Sequence, residues 1–139
     1  EFLNPWFITG FVDGEGCFKS YTNLIGWQVQ ARFIIEVHVK DLDLIYKIQT
    51  FFGDIGSVTF NKKVARYSIQ GIKDILNIVN HFDRYPLQSY KQIDFAFWKK
   101  CINIILNKKH LTPQGLEEIL SYKNFMNRGS IWKIETILS

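Results

Sequence analysis

The segment between Gly10 and Gly16 brings together residues that could bind a cation. It holds two carboxylates, Asp13 and Glu15, with Gly14 between them. Carboxylate oxygens are ligands that Mg²⁺ prefers, and a divalent cation would offset the unfavourable placement of acids at the C-terminal end of a helix. A capping glycine followed by a solvated acid would explain the same residues without a metal. The segment alone leaves both interpretations open.

A helix is expected to lead into this segment. Asn4 is a favourable N-cap and Pro5 suits the first helical position, so the helix should run from Pro5 to about Gly14 and end before Gly16. Within it, Gly10 and Gly14 are four residues apart and share one face. Each glycine costs about 1 kcal/mol of helix propensity. A face without Cβ atoms therefore indicates close packing against another helix.

The remaining elements follow from the spacing of apolar residues. Alternation within residues 17–39 and 57–70 predicts two antiparallel hairpins, with a loop at 22–26 in the first. Helical spacing predicts a helix after each hairpin, with Asp41 as the cap of the first, and two more helices follow. The order α-β-β-α-β-β-α-α-α predicts an α+β fold, an antiparallel sheet with helices on one face, in a single domain over residues 1–139.

One face of the predicted sheet is polar. Such faces are usually solvated and rich in Lys and Glu. This one favours Gln, Arg, Ser and Thr, which can read base edges when strands lie in the major groove of DNA. Its members are Lys19, Tyr21, Gln28, Gln30, Arg32, Thr59, Arg66 and Ser68.

Composition sets broad limits on the class of protein. Hydrophobic residues make up 47% of the 139 residues, which is typical of a globular chain, and no apolar run reaches the roughly 18 residues of a membrane span. The net charge of +4 is compatible with a nucleic-acid partner. Cys17 and Cys101 have no metal-ligand spacing and are expected to be buried thiols. The chain has 19 Ile but 3 Ala and 13 Lys but 4 Arg, which indicates an A/T-rich gene, such as an organelle's.

The segment ITGFVDGEG resembles the LAGLIDADG motif of homing endonucleases. Three further segments, HVKDLDLIYKIQ, HFDRYPLQSYK and KKHLTPQGLEEI, resemble that family in the same order, so the likeness covers residues 4 to about 129. The resemblance implies the αββαββα LAGLIDADG fold, which the apolar spacing predicts independently. It also implies an intron-encoded, site-specific DNA endonuclease that makes double-strand breaks, located in an organelle such as the mitochondrion.

The resemblance assigns roles to the residues of the motif. Glu15 would bind an essential divalent cation, Mg²⁺ or another ion such as Mn²⁺ or Ca²⁺, and the Gly14 carbonyl would face the same ion. Asp13 would tie the helix end to its neighbour. Lys91 best matches a basic residue that the family has near its active site. The resemblance therefore implies two catalytic residues, Glu15 and Lys91.

The resemblance also places double-stranded DNA on the polar sheet face. Glu36 departs from that expectation, because an acid there repels phosphate unless it accepts from cytosine or lies clear of the backbone. The hairpin tip at 61–63 would grip phosphate or be a solvated turn. These expectations add Glu36, Ser57, Asn61, Lys62 and Lys63 to the candidate DNA-binding residues.

Only one glycine-acid motif occurs in the chain. A partner helix and a second carboxylate would come from a second copy, which predicts a homodimer through Gly10, Asp13 and Gly14 on a near-palindromic site. Two alternatives remain: an RNA-splicing maturase, and a non-catalytic DNA-binding half of a two-motif enzyme.

Overall fold

A computed structural model describes residues 3–23 and 28–127 of the chain, without the side chains of residues 19–23, 28 and 125–127. Two short 3₁₀ helices, Val39–Asp41 and Lys109–Leu111, accompany the main elements. The main elements are α1 (Pro5–Glu15), β1 (Gly16–Asn23), β2 (Gln28–His38), α2 (Leu42–Phe51), β3 (Ser57–Phe60), β4 (Val64–Gln70), α3 (Ile72–Arg84), α4 (Lys91–Leu106) and α5 (Pro113–Asn127).

The four strands form one antiparallel sheet in the order β1-β2-β4-β3. Each predicted hairpin is present, and the order of helices and strands confirms the predicted α+β fold. Thr22 and Asn23, predicted to begin a loop, instead belong to β1, and residues 24–26 of that loop lie outside the described residues. Among the described residues, no helix has the length and apolarity needed to cross a membrane.

The core lies between one face of the sheet and the helices. Alternate residues of the two central strands are buried there, as predicted: Ala31, Phe33 and Ile35 of β2, and Ala65, Tyr67 and Ile69 of β4. Ile34 departs from this pattern, because it is only 4% exposed although it points to the polar face. In register it lies between Cys17 on β1 and Ser68 on β4.

The motif helix α1 begins and ends where its sequence predicts. Asn4 Oδ1 accepts a hydrogen bond of 2.8 Å from the Trp6 N–H, which satisfies one unpaired donor of the first turn. At the other end the chain passes directly from helix to strand at Gly16. A Cβ on Gly16 would overlap the Val12 side chain. Glycine is therefore required at the junction that carries the acids.

A buried histidine connects α1 to α3. The Thr9 hydroxyl donates to the Tyr85 carbonyl at 2.8 Å and lies 3.2 Å from His81 Nε2. Since the hydroxyl hydrogen is already used, His81 must donate through Nε2–H. The rings of Phe51 and Phe82 surround the imidazole. Burial lowers the pKa of His81 to about 4, so the ring is neutral near pH 7.

We expect His81 to make stability depend on pH. Its pKa is lower in the folded chain than in the unfolded one, so its contribution is complete above pH 6.5 and is lost as pH falls towards 4. Between pH 7 and pH 5, titration of His81 should lower the free energy of unfolding by about 2 kcal/mol. Burial acts oppositely on Asp94, raising its pKa to about 6 despite the opposing charge of Lys91. That carboxyl adds stability as pH falls through the same range.

Comparison of variants separates the two groups. His81→Gln should lose less stability between pH 7 and 5 than the wild type, measured as free energy of unfolding in urea. Asp94→Asn should lose more than the wild type. Identical pH dependence in the wild type and His81→Gln would show that the imidazole does not titrate as described.

Candidate metal and nucleic-acid site

Asp13 joins the last turn of α1 to the turn before α4. Its Oδ1 accepts from the Ser89 hydroxyl at 2.7 Å and the Ser89 N–H at 3.0 Å, and both carboxylate oxygens accept from the Gln88 N–H. Burial alone would raise the pKa of Asp13. The hydrogen bonds from Ser89 and Gln88, with the charge of Lys91, outweigh burial and lower the pKa below its usual value. The carboxylate is thus ionised and already engaged within the chain.

Replacing Asp13 by Ala should destabilise the fold. The change leaves the N–H groups of residues 88 and 89 without their acceptor, and we expect a loss of about 2–4 kcal/mol in the free energy of unfolding. Asp83→Ala is the matched control, because Asp83 forms an ion pair with the partly exposed Lys99 at the surface, and its removal should cost about 1 kcal/mol or less. Equal losses for the two variants would mean that Asp13 does not hold α1 to α4.

Lys91 is nearly buried beside the same helix end. It is 9% exposed, and its Nζ donates to the Val12 carbonyl at 3.1 Å. That carbonyl also accepts from the Gly16 N–H. Burial lowers the pKa of the Lys91 amine. The electrostatic influence of the nearby Cys17, Glu15 and Asp13 side chains opposes this shift but does not cancel it. A cation is favourable at the C-terminal end of a helix, and the fold thus brings Lys91 to the acids of the motif.

Glu15 and Gly14 are exposed at the last turn of α1. The last carbonyls of a helix have no partner within the helix, so this end offers a carboxylate and backbone carbonyl oxygens. Within residues 3–23 and 28–127, no group of three or more His, Cys, Asp or Glu side chains could hold a metal ion. Mg²⁺ needs only one or two carboxylates when waters and phosphates complete its shell. The residues present therefore fit part of a magnesium site.

The outward face of α1 is open and apolar. A Cβ added to Gly10 or Gly14 would meet nothing within 4 Å in the described chain. Trp6 is 52% exposed and Phe7 is 44% exposed on the same helix. A helix that carries apolar residues on its outward face as well as its inward one normally buries both. This face therefore has the character of a contact surface.

On the polar sheet face, the unexpected acid Glu36 lies close to a basic residue, Arg66. Glu36 and Arg66 lie opposite each other on β2 and β4, with Arg66 Nε 4.0 Å from Glu36 Oε2. The separation is too long for a hydrogen bond, and Arg66 Nε has none, so the attraction is electrostatic. Thr59 lies opposite Arg66, and Ser57 opposite Ser68, on the neighbouring strand. Glu36 is thus balanced by Arg66 within the chain.

The other end of this face centres on Arg32. Arg32 donates from Nε and Nη2 to Gln30 Oε1 at 3.2 and 2.8 Å. In register, Lys19 lies opposite Arg32 and Tyr21 opposite Gln30. Gln28 begins β2, and its side chain, like those of Lys19 and Tyr21, lies outside the described part.

The hairpin tip is held in place by hydrogen bonds from its backbone N–H groups to the Asn61 side chain and by one backbone hydrogen bond to the residue that follows β2. Asn61 Oδ1 accepts from the N–H groups of Lys63 and Val64, both at 2.8 Å. The Lys63 carbonyl accepts from the Val39 N–H at 2.9 Å, which fastens the tip to the end of β2. Lys62 and Lys63 are exposed on this fixed turn, an arrangement that suits phosphate contacts as well as a solvated turn.

Sequence reasoning missed two residues that shape the site. Gln88 and Ser89 donate hydrogen bonds to the Asp13 carboxylate, and neither residue type nor spacing predicts that contact. The only signal was their position just before a helix, where N–H groups lack partners and attract a carboxylate.

A sequence model of the family described as LAGLIDADG endonuclease matches residues 8–102. The chain belongs to the LAGLIDADG endonuclease family. The matched range contains the glycine-acid junction, the sheet and Lys91.

LAGLIDADG relatives match most of this chain but are longer. The "Probable intron-encoded endonuclease 3" of Neurospora crassa is 37% identical, over 91% of this chain and 25% of its own length. The "Uncharacterized 50.9 kDa protein in ND4 intron 1" of Podospora anserina is 45% identical, over 79% and 26%. A structure of I-SmaMI, bound to an uncleaved DNA target in the presence of calcium ions, superposes with a TM-score of 0.84 at 37% identity, over 91% of this chain and 46% of that one.

The chain therefore spans about a quarter of the length of these two curated relatives and less than half of the solved one.

Proposed function

We propose that this chain is the cleaving unit of a site-specific, metal-dependent DNA endonuclease. The observation that carries the proposal is the placement of the exposed Glu15 carboxylate and the nearly buried Lys91 amine at the same end of α1. The names of the relatives support it, since one is called an intron-encoded endonuclease and another is bound to a DNA target. The reaction would be hydrolysis of phosphodiester bonds.

Glu15 and the Gly14 carbonyl would hold the cation, with Mg²⁺ as the proposed ion and Mn²⁺ or Ca²⁺ as substitutes. When bound, such a cation activates water and stabilises the leaving oxygen. Asp13 would not serve as a ligand, because its oxygens already accept hydrogen bonds from Gln88 and Ser89.

Lys91 would stabilise negative charge that develops on the phosphate oxygens. Its amine is fixed by the Val12 carbonyl, so no reorganisation is needed when the charge appears. Asp13 keeps that end of α1 against α4, on which Lys91 lies. The polar face of the sheet would lie in the major groove and bring the target to this site.

A second motif helix would complete the site. One chain offers one exposed motif carboxylate, whereas cutting two strands requires a second, and the open face at Gly10 and Gly14 suits a like helix. We propose a homodimer on a near-palindromic target. The second candidate is a different second half, and its support is that the chain covers only 46% of the I-SmaMI chain. Both arrangements use the same face of α1.

A maturase role would keep the fold without needing a metal carboxylate, so the exposed Glu15 favours cleavage. We propose a mitochondrial location from the A/T-rich gene and from the relative in an ND4 intron.

A cleavage selection tests the proposed function. The chain is incubated with a randomised duplex DNA library and Mg²⁺, with EDTA as the control, and the cut ends are sequenced. We expect recurring double-strand breaks in one long sequence, absent with EDTA. Sequence-specific binding without any cut would favour the non-catalytic half, and binding to structured RNA alone would favour the maturase.

A further inference from the structure

Gln30 and Arg32 form a joined pair on the polar sheet face. They are two residues apart on β2, so both side chains project from the same face. Two N–H groups of the Arg32 guanidinium meet one oxygen, Gln30 Oε1, at 3.2 and 2.8 Å. The amide must be oriented this way, because its N–H groups would oppose those of the guanidinium.

This contact changes what Gln30 can recognise. A glutamine reads adenine by accepting from N6 through its oxygen while donating to N7 through its nitrogen. Gln30 Oε1 already accepts two hydrogen bonds, which use the two lone pairs of an amide oxygen. Only N–H donors remain on Gln30, and a guanidinium also offers only donors. Donors match guanine, which presents O6 and N7 as acceptors in the major groove, and oppose the N6 amino group of adenine.

We infer that Gln30 is a positioning residue for Arg32, and that the two side chains together read one guanine. The inference rests on the proposed DNA-binding function. A guanidinium that is already held loses less conformational freedom on meeting its base. The sequence pattern predicted two independent readers, Gln30 and Arg32, whereas the structure joins them into one.

The test uses variants that separate the acceptor from the rest of the side chain. Gln30→Met keeps the length without the acceptor, and Gln30→Glu keeps an acceptor oxygen. Arg32→Ala and the double variant Gln30→Met/Arg32→Ala complete a cycle, with Gln114→Met, on exposed α5, as the matched control. Each protein selects from a randomised duplex library in Ca²⁺, and its unfolding is measured to confirm an unchanged fold.

We expect the wild type to select guanine at one position of each half-site. Arg32→Ala should reduce that preference about tenfold or more, Gln30→Met should reduce it at the same position, and the double variant should be no worse than Arg32→Ala. Gln114→Met should retain it in full, and Gln30→Glu should retain more of it than Gln30→Met, because glutamate keeps an acceptor for Arg32 but lacks the amide donors.

Three results would overturn the inference. One is a Gln30→Met protein that loses adenine at another position while guanine is kept. Another is an Arg32→Ala protein whose affected position was not guanine. A wild type that selects no sequence would overturn the proposed function itself, and this inference with it.

Discussion

Replacing Glu15 by Gln should abolish DNA cleavage and spare DNA binding. The amide keeps the volume of the carboxylate but lacks the charge that holds a cation. Glu15 is exposed at the end of α1, so the change should leave the fold intact. Loss of one preorganised stabilising group typically lowers a rate by 10²–10³-fold, and loss of a cation should cost at least about that much. The measurement is the single-turnover rate on the selected target with Mg²⁺, alongside target affinity.

Glu117→Gln is the matched control for this loss. Glu117 is an exposed acid on α5, so its amide variant should cut at the wild-type rate. A Glu15→Gln protein that still nicks or cuts at a near wild-type rate would remove Glu15 from the metal site.

Replacing Gly10 by Leu should prevent the proposed pairing of two chains through α1 and, with it, abolish double-strand cleavage. Within one chain a Cβ at Gly10 meets open space, and leucine favours helix by about 1 kcal/mol over glycine. The folded chain should therefore be as stable as the wild type or more stable. A bulky side chain on the open face would keep a second α1 from approaching closely. Sedimentation with and without DNA, the free energy of unfolding and the cleavage rate are measured together.

Ala96→Leu supplies the matched control for added bulk. Ala96 is exposed on α4, so the larger side chain there should change neither assembly nor cleavage. A Gly10→Leu protein that assembles and cuts like the wild type would show that α1 does not form the contact. A wild-type chain that stays a strict monomer on one half-site, unable to break both strands, would favour a different second half.

Local sequence rules predicted most of the architecture. Asn4 and Pro5 mark the start of α1 and Gly16 its end, because capping and the helix-to-strand turn depend on neighbouring residues alone. Alternation predicted the buried face of β2, since its side-chain period is two. The prediction that Asp41 caps α2 was only half right. Asp41 lies at the N-cap of α2, but its side chain makes no capping hydrogen bond.

The contacts that complete the site were not predictable in the same way. Lys91 reaches a backbone carbonyl of α1, and a backbone acceptor carries no sequence signal. His81 is buried against Thr9 of α1, Phe51 of α2 and Phe82 of α3, and these contacts depend on packing between distant segments. Gln30 has the type of a base reader, and only the geometry reveals that its oxygen is already engaged by Arg32.

The position of the cation in the protein–DNA complex would show whether Glu15 binds it. Crystals of the chain with its selected target and Mn²⁺ would locate the ion by anomalous scattering. We expect a peak within coordination distance of a Glu15 carboxylate oxygen, near the Gly14 carbonyl and a phosphate of the DNA. A peak coordinated by Asp13 or Asp94 with none at Glu15, or DNA bound with no ion at the end of α1, would contradict this expectation.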